Sequence, residues 1–86
     1  ASGEINLKLA DPKASILKVD KAYRALAVLV DETDGVAMEF KGKEGEWRYN
    51  IRSSNTEPVV RLNVESKNDK DLMEKKMNLI LSLLND

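Results

Sequence analysis

The stretch Arg52-Ser53-Ser54-Asn55-Thr56-Glu57-Pro58, with Arg61 just beyond it, gathers the side chains best suited to chemistry. An arginine offers a planar fork of donors that matches the oxygens of a phosphate or carboxylate in pairs. The hydroxyls of Ser53, Ser54 and Thr56 and the amide of Asn55 add short, adjustable donors. Backbone N–H groups in a tight polar loop can add an anion-binding concavity. Pro58 restricts its own φ and the conformation of Glu57, which stiffens the loop. Glu57 is awkward beside a dianion, and its expected role is to orient Arg61 through an ion pair. Taken locally, the same residues also read as an ordinary polar turn. The arginines flanking the loop, on the same side of their strands, favour anion capture.

Other chemistry is scarce. The chain has no cysteine and no histidine. Disulfides, thiol nucleophiles, Cys/His zinc sites and histidine general bases are therefore excluded. Carboxylates, Lys and Tyr remain. Asp31, Glu32 and Asp34 form a small acidic cluster without the ligand spacing of a calcium loop. It reads as a solvated turn, and no metal site is expected. Met73 and Met77 lie at core spacing on a helix and need no cofactor.

Several elements must position the loop. Glu4 to Leu9 alternates apolar and polar residues as a half-buried strand does. Asp11-Pro12 then opens a helix, with Asp as N-cap and Pro at the first helical position. Ile16, Val19, Tyr23, Leu26 and Val30 form its apolar stripe, and its end is expected between Ala25 and Leu29. Ala27 to Val30 could equally begin an extended segment. Asp31 to Gly35 is a polar turn. Val36 to Phe40 is a second strand, joined through Gly42 and Gly45 as a hairpin to a third, Trp47 to Arg52. Val59 to Glu65 is a fourth. Asn68 or Asp69 caps a last helix whose stripe is Leu72, Met73, Met77, Ile80, Leu83 and Leu84.

The economical arrangement is one α+β domain spanning residues 1–86. It is a two-layer sandwich, a four-stranded, mostly antiparallel sheet with two helices on one face. Ile5, Leu7, Val36, Met38, Trp47, Tyr49, Ile51, Leu62 and Val64 would meet the helices. Arg48, Asn50, Arg52, Arg61, Asn63 and Glu65 would line the open face. The 86 residues suffice for one modest core, burying roughly 60–65% of the unfolded surface. The net charge of −1 argues against general nucleic-acid binding. Base stacking on the open face is also disfavoured, because Trp47 and Tyr49 have the parity of the core. No apolar run approaches the roughly 20 residues of a membrane span, and no signal peptide is visible. The missing initiator Met suggests a chain processed or excised from a longer one.

The loop from Arg52 to Pro58 resembles the phosphate-binding loop in the C-terminal domain of the α-D-phosphohexomutases, Arg-x-Ser-(Asn/Gly)-Thr-x-Pro. A following Arg and a Val-Glu pair would be Arg61 and Val64-Glu65. Asp34-Gly35-Val36 and Ser2-Gly3-Glu4-Ile5-Asn6 are similar to the same domain. Within the family the likeness is strongest to the bacterial phosphomannomutase/phosphoglucomutase branch. The resemblance implies a TATA-box-binding-protein-like fold, with no DNA-binding meaning, and the last of four domains. It places the phosphoserine, the magnesium loop and the sugar-recognition loop in the other three, so no catalytic residue and no cofactor are expected in this chain.

It also implies a role for each loop residue. Arg52 would grip the substrate phosphate that is not transferred, with Ser53, Ser54, Asn55 and Thr56 completing the clamp and Arg61 and Glu57 supporting it. The partners implied are mannose or glucose phosphates and the other three domains of a cytoplasmic parent enzyme. That enzyme would interconvert mannose 6-phosphate and mannose 1-phosphate, and this chain alone would be inactive. A free-standing protein-interaction module using the polar Arg/Asn/Glu face is the alternative.

Overall fold

In a computed structural model, residues 2–33, 35–54 and 56–85 are described. The elements run β1 (Ser2–Lys8), α1 (Pro12–Tyr23), a single 3₁₀ turn (Arg24–Leu26), β2 (Leu29–Asp31), β3 (Val36–Gly42), β4 (Gly45–Ser53), β5 (Val59–Ser66) and α2 (Lys70–Leu84). The sheet therefore has five strands, where the sequence pattern gave four. Their order is β1-β5-β4-β3-β2, and every pairing among them is antiparallel.

The added strand comes from the segment that could be read two ways. Leu29-Val30-Asp31 is too short to display alternation. Its extension is decided by β3, which pairs Leu29 with Glu39, Val30 with Met38 and Asp31 with Ala37. The Val28 N–H adds a bond to the Glu39 carbonyl at 2.8 Å. The helical stripe is correspondingly shorter than expected. α1 stops at Tyr23, Leu26 is 68% exposed on the 3₁₀ turn, and Val30 belongs to the sheet.

The helix starts follow local chemistry. Asp11 accepts the Ala14 N–H at 3.2 Å, with Pro12 as first helical residue. Of the two candidates for the second cap, Asp69 is the one used, accepting the Leu72 N–H at 2.9 Å. Asn68 takes φ 54° just before it, a left-handed conformation that Asn tolerates better than most residues.

Both helices pack on one face of the sheet. Met38, Phe40, Trp47, Tyr49, Ile51, Val60, Leu62 and Val64 form one core with Val19 of α1 and Leu72, Met73, Met77, Ile80 and Leu84 of α2. Ile5, Leu7 and Val36 pack against its margin. All four aromatic side chains of the chain lie together on this side. Phe40 stacks on Trp47 at 4.2 Å, and Tyr23 meets Phe40, Trp47 and Tyr49 edge-on at 5.5–5.9 Å. The opposite face carries Arg48, Asn50, Arg52, Arg61, Asn63 and Glu65 and no aromatic ring. No helix among the described residues is long and apolar enough to cross a membrane.

Candidate functional site

The register of β4 against β5 sets Arg52 directly opposite Arg61, and Ser53 opposite Val60. The register of β5 against β1 sets Arg61 opposite Asn6. Directly paired residues in a sheet point to the same face. Arg52, Arg61 and Asn6 thus form a row across three strands on the open face. Like charges directly opposite each other repel, so counter-charges around this pair bear on how the row is held.

The row lies at the base of the loop joining β4 to β5. A depression of about 170 Å³ opens there, lined by Asn6, Arg52, Ser53, Ser54, Val59 and Arg61. Among the described residues its lining holds two guanidinium groups, two hydroxyls and an amide, and no carboxylate. The charge beside Arg61 is balanced from β1. Arg61 Nε donates to Asn6 Oδ1 at 3.4 Å and lies 3.4 Å from Glu4 Oε1. The carboxylate expected to orient Arg61 was Glu57. The one found beside it is Glu4, because the β1–β5 pairing brings that strand alongside.

The loop is built around Ser54. Its N–H donates to the Val59 carbonyl at 2.9 Å, closing the base. Its Oγ accepts the N–H groups of Thr56 and Glu57, both at 3.3 Å, and lies 3.3 Å from Thr56 Oγ1. At the end of the loop, the Pro58 carbonyl accepts the Leu9 N–H at 2.9 Å, which ties the start of β5 to the exit of β1. Two of the backbone donors expected to face an anion therefore turn inward onto Ser54. Ser53 sits at the strand end with the parity of Ile51. It borders both the depression and a groove shared with α1 residues Lys13, Ile16, Leu17 and Asp20. Asn55 lies outside the described residues.

Further along the same face, Arg48 is engaged otherwise. It sits opposite Glu65 on β5 and Glu39 on β3 and pairs with the Glu65 carboxylate at 2.7 Å. At the acidic turn, Asp31 accepts the Thr33 N–H at 2.9 Å, and the Thr33 hydroxyl first, then this N–H, hold its carboxyl below its ordinary pKa. Glu32 pairs with Arg24, which also forks onto Asp20 at 2.7 Å. Those carboxylates are occupied in fixing the α1–β2 connection. Asp34, the third member, lies outside the described residues. Among the described residues, no three potential metal ligands cluster.

Two residues of this region were missed by the sequence reading. Asn6 and Glu4 read as the polar half of a strand and as part of a stretch similar to the start of the family's domain, with no role at the site, and nothing in the sequence shows that β1 lies beside β5. Gly35 read as part of a turn. Its signal was the positive φ that glycine permits, here 75°, but its neighbour in space is Arg52.

The fold and the loop define a small α+β domain with paired arginines under a serine-centred loop. Residues 4–81 match the family of the phosphoglucomutase/phosphomannomutase C-terminal domain, and the chain belongs to that family. It is 54% identical over 85 residues to a phosphomannomutase of Salmonella typhimurium and 52% identical over 86 residues to one of Escherichia coli. It is 46% identical over 83 residues to a protein of Xanthomonas campestris described as phosphohexose mutases. These alignments cover 99%, 100% and 96% of this chain but 18% of each relative.

Proposed function

We propose that this chain is the substrate-phosphate-binding domain of a phosphomannomutase-type enzyme interconverting mannose 6-phosphate and mannose 1-phosphate, with the glucose pair as further substrates. The observation that carries the reading is the Arg52–Arg61 pair, directly opposed across β4 and β5 in a depression below a hydroxyl-rich loop. A dianion between the two guanidiniums would bridge them. Arg52 is the principal clamp on the phosphate that is not transferred. Arg61, steadied by Glu4 and Asn6, is the second positive arm. Ser53, Ser54, Asn55 and Thr56 supply shorter donors. The 3.3 Å bonds onto Ser54 Oγ are long for hydrogen bonds, so the Thr56 and Glu57 N–H groups can exchange them for phosphate oxygens at little cost.

Phosphoryl transfer depends mainly on positioning and charge stabilisation. A domain that contributes only an anion clamp is therefore chemically sufficient for a share in it. The phosphoserine, the magnesium ion and the sugar-reading loop are assigned to the remainder of the parent enzyme, as the family resemblance implies.

The test is steady-state kinetics on the full-length enzyme carrying Arg52→Ala or Arg48→Ala, with thermal melts alongside. Losing a charge-assisted phosphate contact costs roughly 1.5–3 kcal/mol, so kcat/KM should fall about ten- to a hundredfold for Arg52→Ala. Exposed substitutions change stability by about 0.5 kcal/mol or less, so Tm should hardly move. Arg48→Ala, which removes only an exposed pair with Glu65, should leave kcat/KM nearly intact. Equal activities of the two variants would overturn the clamp.

A further inference from the structure

The β3–β4 register pairs Val36 with Ile51. One step further, where a strand residue would stand opposite Arg52, the chain has Gly35 at φ 75°. The approach is close. A Cβ on Gly35 would lie 2.3 Å from the Ile51 carbonyl oxygen, 3.2 Å from the Ile51 carbonyl carbon and 2.8 Å from Arg52 Cγ. Two of these distances are far inside van der Waals contact. Arg52 therefore has a guanidinium neighbour on its β5 side and, on its β3 side, a position with no side chain. Its stem occupies the room that a side chain at position 35 would take. Ile51 is 1% exposed, on a central strand paired on both sides. Its carbonyl has nowhere to move, so the adjustable atoms are those of Arg52 and of the turn itself.

We infer that Gly35 is a positioning residue for Arg52. By carrying no side chain of its own, it leaves the arginine stem the room that it occupies and so sets the direction of its guanidinium in the anion site. This inference rests on the phosphate-clamp reading above.

The test is a double-mutant cycle on this chain, with Gly35→Ala, Arg52→Ala and the double variant. Each is titrated with inorganic phosphate while the backbone amides of Ser53, Ser54 and Thr56 are followed by NMR. A melt accompanies each to establish folding. Arg52→Ala should cut the shift response at a fixed phosphate concentration about tenfold, the loss expected for one charge-assisted contact. Gly35→Ala should cut it by a similar factor, and the double variant should be no weaker than Arg52→Ala alone. A folded Gly35→Ala chain with full response overturns the inference, and so do losses that simply add. If Arg52→Ala itself responds fully, the clamp reading fails, and this inference with it. Should Gly35→Ala not fold, Gly35→Asn decides by the same criteria, because Asn tolerates positive φ while still bringing a Cβ.

Discussion

At the scale of single residues, the two faces of β4 handle charge in opposite ways. Arg52 on the open face is set against another cation. Tyr49, three residues earlier on the buried face, is 2% exposed and donates its hydroxyl to Met38 Sδ at 3.1 Å. Burial pushes its phenol well above the ordinary value of 10.0, and the Asp20 carboxylate adds to the shift. Burial also raises Tyr23, with Glu44 contributing. A raised folded pKa means that the native state keeps a proton which the unfolded chain releases. The associated stability is present in full below pH 10 and is lost as pH rises above it. Denaturant melts across the alkaline range should show that decline, and Tyr49→Phe should flatten it. An unchanged slope in Tyr49→Phe would mean that Tyr49 is not the group responsible.

Among the elements, α2 depends most on one side chain. Asp69 caps it through Leu72, its carbonyl accepts the Met73 N–H at 3.2 Å and the Ser66 hydroxyl, and its charge complements the helix N-terminus. The helix buries Leu72, Met73, Met77, Ile80 and Leu84 in the shared core, so fraying at its start loosens contacts with the whole sheet. Asp69→Ala should cost about 1 kcal/mol, seen as a fall in Tm of about 4–8 °C. Asp69→Asn should recover most of it. The Asp11 cap on α1 is longer, at 3.2 Å, and exposed, so Asp11→Ala should cost less. A reversed ranking in thermal melts would contradict this account.

For the molecule as a whole, strand order decides how firmly the candidate site is held. β4 and β5, which carry Arg52 and Arg61, each have a neighbour on both sides, while β1 and the three-residue β2 form the edges. One core couples both helices to all of it, with Trp47 at its heart, 6% exposed and under the Lys76 ammonium at 5.0 Å. The chain should therefore unfold in one cooperative step, with Trp47 fluorescence and far-ultraviolet circular dichroism changing together. It spans about 18% of the length of its relatives, and a clamp of the kind proposed has by itself no group to transfer. Pure chain should show no turnover of mannose 1-phosphate. Measurable turnover would refute the division of labour proposed above, and separated transitions would refute the single core.

The sequence by itself determined what is local. Alternation in Val36 to Phe40, Trp47 to Arg52 and Val59 to Glu65 assigns each residue to a face, because side-chain direction in a strand has a period of two. Asp11-Pro12 and Asp69 mark helix starts because capping needs only neighbouring backbone. The order of types from Arg52 to Pro58 made the loop and its family resemblance legible. Tertiary structure decided everything that depends on which segment lies beside which. β2 is a strand because β3 is there to pair with it, and its three residues are too few to show a period. Arg61 finds Glu4 and Asn6, 57 and 55 residues away, and not the nearby Glu57, because β1 inserts beside β5. Gly35 bears on Arg52 through strand register alone. Pairing partners are set by closure of the whole sheet over its core, and no local run of residues encodes them.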